Sequence, residues 1–275
     1  MGAQPPPGPD ELKAPPMEGQ AFVRSLHAQM KARYPEPPIF FQALYNKELS
    51  MADLQMWAKD LYHYWDNGVV YSTAAIFIKT NDEPLRTHML RRMVDIEGED
   101  VTGDLSGATT PAWEELWLRF AEGLGLKRDD VLDWQTFSRT HYATTTLVSY
   151  SRYWDWSWLD GVATFYAADL HGQAYFGRVA EALQHQYGVP AGALEFFRVF
   201  LDDVASHIPW EEEALAYWAC TTERQITAAR AFRERLDIER QVLFGVESAR
   251  KDGKLPFQVP GFVMAAGDPV HYSAP

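Results

Sequence analysis

Residues 50–65, SMADLQMWAKDLYHYW, indicate the fold class of this protein. The apolar residues of this stretch recur at spacings of three and four, at Leu54, Trp57, Ala58 and Leu61. That spacing is typical of an α-helix with one buried face. Ser50 precedes the pattern and Asp53 follows three residues later, a pairing that caps the first backbone amides of a helix. The stretch therefore predicts a helix that begins after Ser50 and runs towards Lys79.

The same period continues along most of the chain. It predicts one helix that begins near residue 20. It predicts others over residues 85–97, 113–123, 129–151, 158–187, 193–206 and 222–246. We expect Pro209 to begin a separate helix, because proline is favoured in a first helical turn. No stretch alternates between apolar and polar residues with a period of two, so we expect no sheet. The prediction is an all-α fold, a single bundle of seven or eight helices.

The two ends of the chain differ from this pattern. Residues 1–19 are rich in proline and glycine and are expected to form a disordered leader. Residues 20–250 form the predicted helical domain, and residues 251–275 form an extended tail. The leader lacks the basic and apolar segments of a secretory signal, and no apolar run is long enough to span a membrane. We therefore expect a cytoplasmic protein with no membrane partner.

Charge and composition exclude further classes of function. The chain has 275 residues, with 25 Lys and Arg against 38 Asp and Glu, for a formal net charge of −13. A general nucleic-acid-binding protein needs a basic face, so nucleic acid is not an expected partner. A single cysteine, Cys220, allows no internal disulfide. The aromatic fraction of 14% indicates ring-lined core or pocket surfaces.

Several segments resemble a known family. The aromatic cluster at residues 62–65, the segment MVDIEGED at residues 93–100 and the segment WLRFAEGLGL at residues 117–126 are similar to pyrroloquinoline-quinone synthase and its relatives. The resemblance runs from about residue 33 to residue 244. It implies the haem-oxygenase-like helical fold shared with thiaminase II and with dimetal oxidases of that fold. It also implies a homodimer.

The reactive residues of the quinone synthases are mostly replaced. A histidine of the family corresponds to Ile96, its His-Pro pair to Pro38 and Ile39, an arginine to Leu61, and a lysine of the last helix to Glu239. We therefore do not expect quinone synthase activity itself.

The resemblance to the dimetal oxidases concerns candidate metal ligands. Their first two ligand positions correspond to Glu97 and Asp104, and their last histidine corresponds to His207. Their remaining ligands correspond to Ala168, Phe200 and Val204. This implies either a non-standard site, with iron held by Glu97, Asp104 and His207, or no cofactor. Alternatively, the segment around Glu97 is a solvated acidic turn.

Other residues are candidates for catalysis. His207 follows Asp203 by four residues, so the pair can act as a general base oriented by a carboxylate. Alternatively, His207 interacts with the carbonyl groups at a helix end. Tyr64 is the third catalytic candidate. Asp169 and His171 are separated by about 200° around a helix, so we expect at most one of them to face the site.

Aromatic residues are the candidates for substrate binding. Tyr64 and Tyr71 are seven residues apart, so they share one helix face in the predicted helix, and in the relatives this face borders the central cavity. With Trp65, Tyr150 and Phe200, Tyr71 forms a predicted pocket for a planar or apolar substrate. Alternatively, these rings are ordinary core packing.

Three functions remain open on the sequence. The first is an oxygen-using oxidoreductase that acts on a small organic substrate in cofactor or specialised-metabolite biosynthesis, without metal or with a non-standard metal site. The second is a non-redox hydrolase or lyase similar to thiaminase II, with Cys220 as its nucleophile. The third is a non-catalytic protein of the same fold that binds a small molecule.

Overall fold

A computed structural model describes residues 14–98, 110–152 and 157–252 of the chain. These residues form α-helices joined by short connections and contain no strand. The helices are α1 (Gly19–Arg33), α2 (Ile39–Tyr45), α3 (Met51–His63), α4 (Val70–Phe77), α5 (Glu83–Glu97), α6 (Trp113–Gly123), α7 (Arg128–Leu132), α8 (Ser138–Arg152), α9 (Trp158–Tyr187), α10 (Glu195–Trp218) and α11 (Thr222–Asp252). A 3₁₀-helix at Ala191–Leu194 precedes α10.

The predicted helix after Ser50 is confirmed and contains an unexpected element. Ser50 and Asp53 form a reciprocal cap at the start of α3. A π-helix at Tyr64–Val69 then joins α3 to α4, so the two helices form one continuous rod. The described residues thus contain eleven α-helices, or ten if α3 and α4 are counted as one, which is more than the seven or eight predicted. π-Helical turns are rare, and those that do occur within α-helices are often found at functional sites.

The long helices α9, α10 and α11 form the centre of the bundle. Helix α9 packs against both α10 and α11, and residues 159–167 of α9 are buried on every side. An aromatic layer lies between α3, α6 and α10. In this layer the Trp57 ring contacts Trp117 edge-on at 5.4 Å between centroids. Such aromatic pairs contribute about 0.5–1.5 kcal/mol each beyond the burial of their area.

The prediction of one continuous helix over residues 129–151 is wrong, because two helices with a break between them occupy this range. The break positions Asp60 of α3 as a cap for α8. The Asp60 carboxylate accepts hydrogen bonds from the backbone N–H of Phe137 at 2.7 Å and from the hydroxyl of Thr140 at 2.5 Å. A cap supplied by a distant helix leaves no local signal in the sequence.

Pro209 does not begin a helix, contrary to the prediction, but lies inside α10. Proline lacks the N–H that would bond to the carbonyl of Ala205. Both Ala205 and Pro209 are exposed, so water can hydrogen-bond to that carbonyl. Because the neighbouring turns are buried on the opposite face, at Val204, His207 and Ile208, the helix continues through the proline.

The described end of the predicted leader is attached to the bundle, where we expected disorder. The Gln225 side chain accepts from the backbone N–H of Met17 at 2.9 Å and donates to its carbonyl at 2.8 Å. Thr222 donates to the carbonyl of Ala14 at 2.5 Å. Residues 1–13 and the tail from residue 253 lie outside the described residues. Among the described helices, none combines the length and the apolar character of a membrane-spanning segment.

Candidate functional site

A small cavity lies at the centre of the bundle, between the π-helix and helices α5, α6, α9, α10 and α11. The volume in which the centre of a water molecule fits is about 20 Å³, which is room for about one water. The cavity is lined by Tyr64, Trp65, Val69, Arg92, Trp113, Phe165, Ala168, Asp169, His171, Gly172, Phe176, Phe200, Arg235 and Glu239. Aromatic rings therefore enclose a group of polar and charged side chains.

Tyr64 is the first residue of the π-helix and links the cavity to α11. Its hydroxyl donates to Glu239 Oε1 at 2.5 Å and accepts from Arg235 Nη2 at 2.5 Å. Arg235 also donates to Glu239 at 2.8 Å, so the three side chains form a closed triangle of hydrogen bonds. Burial raises the pKa of Tyr64 well above its ordinary value, against the opposing effect of Arg235. Tyr64 is therefore a protonated phenol at neutral pH.

Arg92 of α5 forms a second buried group, with two carboxyl groups from different helices. Its guanidinium donates to both oxygens of Asp169 on α9, at 2.8 and 2.7 Å, and to Glu211 on α10 at 3.0 Å. It also lies over the ring of Phe165, 4.4 Å from the centroid. Burial alone would lower the pKa of Arg92, but the charge of Asp169 and its hydrogen bonds raise it. Burial, with the nearby charge of Asp169, raises the pKa of Glu211 well above its ordinary value.

His171 supplies a neutral imidazole to the same cavity. Burial lowers its pKa to about 4, so the ring is uncharged at neutral pH. Its Nε2 atom is buried and has no hydrogen-bond partner. The expectation that at most one of Asp169 and His171 faces the site is wrong, since both are buried and line the cavity. The middle of α9 is enclosed by neighbouring helices, so two opposed faces are both internal.

Three further buried nitrogens on the cavity residues have no partner: Trp65 Nε1, Arg92 Nε and Arg235 Nη1. Each of these atoms carries a hydrogen that it can donate. Buried donors without an acceptor are costly and are usually satisfied by water or ligand. The cavity is thus suited to an occupant that accepts hydrogen bonds.

The structure distinguishes among the predicted substrate-binding residues. Trp65 and Phe200 line the cavity, whereas Tyr71 and Tyr150 do not. Tyr71 is 41% exposed, contrary to the prediction that it shares an inward face with Tyr64. The π-helix explains the difference, because its hydrogen bonds close over five residues rather than four and each residue turns the chain through a smaller angle.

The predicted pair of Asp203 and His207 is not the pair that the structure forms. His207 Nε2 lies 3.1 Å from Asp95 Oδ2. Asp203 instead accepts from the indole of Trp113 at 2.9 Å, and burial raises its pKa to about 7. Neither Asp203 nor His207 lines the cavity.

Of the residues predicted to hold metal, the two that the structure describes, Glu97 and His207, have different surroundings. Half-buried Glu97 has a raised pKa, because of its burial and the charge of Asp66, while His207 contacts Asp95. Asp104 lies outside the described residues. Among those residues, no group of three His, Cys, Asp or Glu side chains could hold a metal ion.

The side chains around the cavity do not fit the iron that the resemblance to the dimetal oxidases implies. Asp169 follows Ala168, one of the replaced ligand positions, and its carboxylate and that of Glu211 both accept from the guanidinium of Arg92. A cationic side chain therefore occupies the place between these oxygens that a metal ion would need.

Sequence reasoning missed Arg92, Arg235 and Glu211 as site residues. A signal for the first two was present. Arg92 falls on the buried stripe of α5 formed by Leu85, Met89 and Ile96, and Arg235 lies beside Phe232 and Leu236 on α11. A charged residue within an apolar helical stripe indicates a buried partner.

Comparisons with known proteins agree with this architecture. A family model described as TENA/THI-4/PQQC matches residues 27–243. The pyrroloquinoline-quinone synthase of Acidiphilium cryptum is 28% identical over 233 residues, which cover 84% of this chain and 85% of that protein.

Two solved structures share the fold at 16% sequence identity. One is a domain of unknown function with a haem-oxygenase-like fold from Shewanella denitrificans, with a TM-score of 0.64 over 84% of this chain and 91% of that one. The other is a TenA homologue from Pseudomonas syringae pv. tomato, with a TM-score of 0.62 over 86% and 98%. The predicted all-α, haem-oxygenase-like fold is confirmed.

Proposed function

The chain belongs to the TENA/THI-4/PQQC family, and from this premise we propose that it is a biosynthetic enzyme that oxidises a small organic molecule in its central cavity with dioxygen. The family includes relatives named for the synthesis of a quinone. Because the donor set around Arg92 does not fit a metal ion, the proposed chemistry uses this chain's own side chains.

The observation that carries the proposal is the convergence of ionisable groups on one cavity. Two guanidiniums, two carboxyl groups, a phenol and an imidazole line a space otherwise enclosed by aromatic rings. Burying such groups costs folding free energy. Ionisable groups whose pKa values are strongly shifted inside a pocket are typical of catalytic sites.

Tyr64 and His171 are both neutral at neutral pH, and their neutral forms have opposite roles in proton transfer. Tyr64 keeps its proton at neutral pH and can donate it, whereas neutral His171 can accept one at Nε2. Arg235 and Glu239 hold the Tyr64 hydroxyl in position. The substrate would lose two electrons and two protons, and dioxygen would be reduced to hydrogen peroxide. His171 would take one substrate proton and pass it to the reduced oxygen. Tyr64 would supply the second proton to the oxygen and recover one from the substrate, so both side chains return to their starting states.

The size of the cavity adds a requirement. A two-atom oxidant needs little more than the space of a water molecule, but an organic substrate does not fit in the volume present. Entry of a substrate therefore requires the aromatic walls at Trp65, Trp113 and Phe200 to move apart.

Oxygen consumption and peroxide formation test the proposal. Purified protein would be assayed with catechols, hydroquinones and dihydro-heteroaromatic compounds, and its metal content measured in parallel. We expect turnover without a stoichiometric metal and a loss of at least about a hundredfold in rate in Tyr64→Phe, the lower end of the usual effect of a proton-transfer group. Tyr142→Phe, at a tyrosine that is 63% exposed, is the control. Absence of oxygen-linked turnover across the panel, or turnover that depends on a bound metal, would contradict the proposal.

The small volume favours one alternative, a non-catalytic protein of the same fold. Such a protein would be stabilised by a ligand from the panel without consuming oxygen, as thermal unfolding would show.

The hydrolase alternative has no support at the cavity. Its nucleophile, Cys220, is exposed after the end of α10, where Arg224 Nη1 lies 3.7 Å from its Sγ, and it does not line the cavity.

A further inference from the structure

A second concave site lies on the surface, at the end of the bundle formed by the starts of α5 and α9 and the second half of α10. The lining of this aromatic groove includes Asp82, Trp158, Trp210, Glu213, Tyr217 and Trp218. The volume in which the centre of a water molecule fits is about 310 Å³ in this groove. That size is within the range of small-molecule sites. The groove shares no residue with the central cavity.

Four aromatic rings form the walls of the aromatic groove. Trp218 contacts Trp158 at 5.5 Å and Tyr217 at 4.9 Å between centroids, and both contacts are nearly perpendicular. Trp210 is stacked on His88 at 3.7 Å, which fixes the indole plane. The three tryptophans are partly buried and Tyr217 is 70% exposed. Rings at right angles present both faces and edges to an occupant of the groove.

The charged side chains that line the aromatic groove are both acidic. Asp82 and Glu213 are its charged lining residues, and among the described residues that line it none is Lys or Arg. One oxygen of Asp82 accepts from the backbone of Leu85 to cap α5. Helix α10 ends beside the groove at Trp218, whose carbonyl accepts from the guanidinium of Arg224 at 3.1 Å, so the negative charge at the groove comes from the two carboxylates.

Ring faces combined with negative charge favour a particular kind of ligand. The negative faces of tryptophan and tyrosine attract cations. A primary ammonium is strongly hydrated and needs several acceptors to replace its water, whereas the side chains of this groove offer two carboxylates, one of which already caps α5. An alkylated ammonium has no such requirement and also buries apolar surface. We propose that the aromatic groove binds a small organic cation whose charge is on an alkylated ammonium group.

Choline is a suitable probe, because 3,3-dimethylbutan-1-ol has nearly the same shape without the charge. Binding of both would be measured on the full chain by isothermal titration calorimetry, with tryptophan fluorescence as a second readout. We expect saturable choline binding that is roughly tenfold or more tighter than binding of the neutral analogue, the contribution that a desolvated cation–π contact makes.

Two variants connect the binding to the groove. Glu213→Lys reverses a charge at an exposed groove residue and is expected to weaken choline binding at least about tenfold. Glu181→Lys makes the same change of net charge at an exposed position on α9 that does not line the groove, and should leave binding unchanged. Tyr217→Ala removes an exposed ring and should also weaken binding.

Three results would overturn the inference: no saturable binding of choline, equal affinities for choline and its neutral analogue, or equal effects of Glu213→Lys and Glu181→Lys. Because the aromatic groove and the central cavity share no residue, each of these outcomes is independent of the proposed oxidase activity.

Discussion

Asp60 on α3 and Thr140 on α8, 80 positions apart in the sequence, are joined by a hydrogen bond of 2.5 Å between carboxylate and hydroxyl. The same carboxylate accepts from the backbone N–H of Phe137. Asp60 is completely buried, and burial raises its pKa from 3.8 to about 7 despite these hydrogen bonds. This single group thus holds the start of a helix and titrates near neutral pH.

Removing the Asp60 cap should destabilise the bundle. We expect Asp60→Ala to lower the free energy of unfolding by about 1–3 kcal/mol, because it leaves the N–H of Phe137 and the hydroxyl of Thr140 buried without an acceptor. Chemical denaturation measures this difference. Asp133→Ala, at an exposed residue in the same connection, is the control and should have a much smaller effect.

The pKa of Asp60 also predicts a pH dependence with a definite sign. The folded state binds the proton more tightly than the unfolded state, so this group's contribution to stability decreases as pH rises from about 4 to 7. Asp60→Asn cannot titrate. The stability of this variant relative to the native chain should therefore increase with pH over the same interval, and a constant difference would contradict the assignment.

The buried group around Arg92 predicts a strong asymmetry between single and combined substitutions. Arg92→Met leaves Asp169 and Glu211 without their cation and should cost about 3–5 kcal/mol of unfolding free energy. Adding Asp169→Asn and Glu211→Gln removes the uncompensated charge and should recover much of that loss. If the triple variant were as unstable as Arg92→Met, charge compensation would not be the main role of Arg92.

Two glycines of α9 form a matched pair for testing how tightly the cavity is packed. A Cβ on Gly172 would lie 2.2 Å from Phe200 Cε1, whereas the nearest atom to a Cβ on Gly177 is 3.9 Å away. Gly172→Ala should therefore destabilise by about 1–3 kcal/mol through overpacking. Gly177→Ala should stabilise by up to about 1 kcal/mol, because alanine favours the helix. Thermal unfolding of the two variants distinguishes these outcomes.

Pro209 offers a test of helix continuity in α10. Pro209→Ala restores an N–H that can bond to the carbonyl of Ala205 and should raise the unfolding free energy by about 1–3 kcal/mol. The gain is opposed in part by the greater freedom that alanine allows the unfolded chain. A decrease in stability would show that the ring of Pro209 makes contacts that the chain needs.

Much of the fold could be predicted from local pattern. The capped start after Ser50, the helix over Trp113–Gly123 and the helix over Trp158–Tyr187 match the prediction, because each combines an apolar period with a capping or stopping residue. The predictions failed where contacts between distant residues decide the outcome, as in the break before α8, which places Phe137 and Thr140 against Asp60.

The candidate site was likewise predicted where local pattern decides and missed where it does not. Tyr64, Trp65 and Phe200 were predicted and line the cavity, because the aromatic cluster lies on a buried helix. Tyr71 was predicted to face inward and is exposed, since a π-helix changes the rotation of the chain between Tyr64 and Tyr71. No period in the sequence specifies such a turn.

Helical class, the position of most helix ends and the aromatic character of the interior depend on interactions within a few residues, and the sequence alone was sufficient to predict them. The partners of the buried charges depend on how the helices pack. Arg92, Asp169 and Glu211 lie on three different helices, and only their packing places one guanidinium between two carboxyl groups. A buried charge is tolerated when its partner is brought close in space, and that distance is set by tertiary structure.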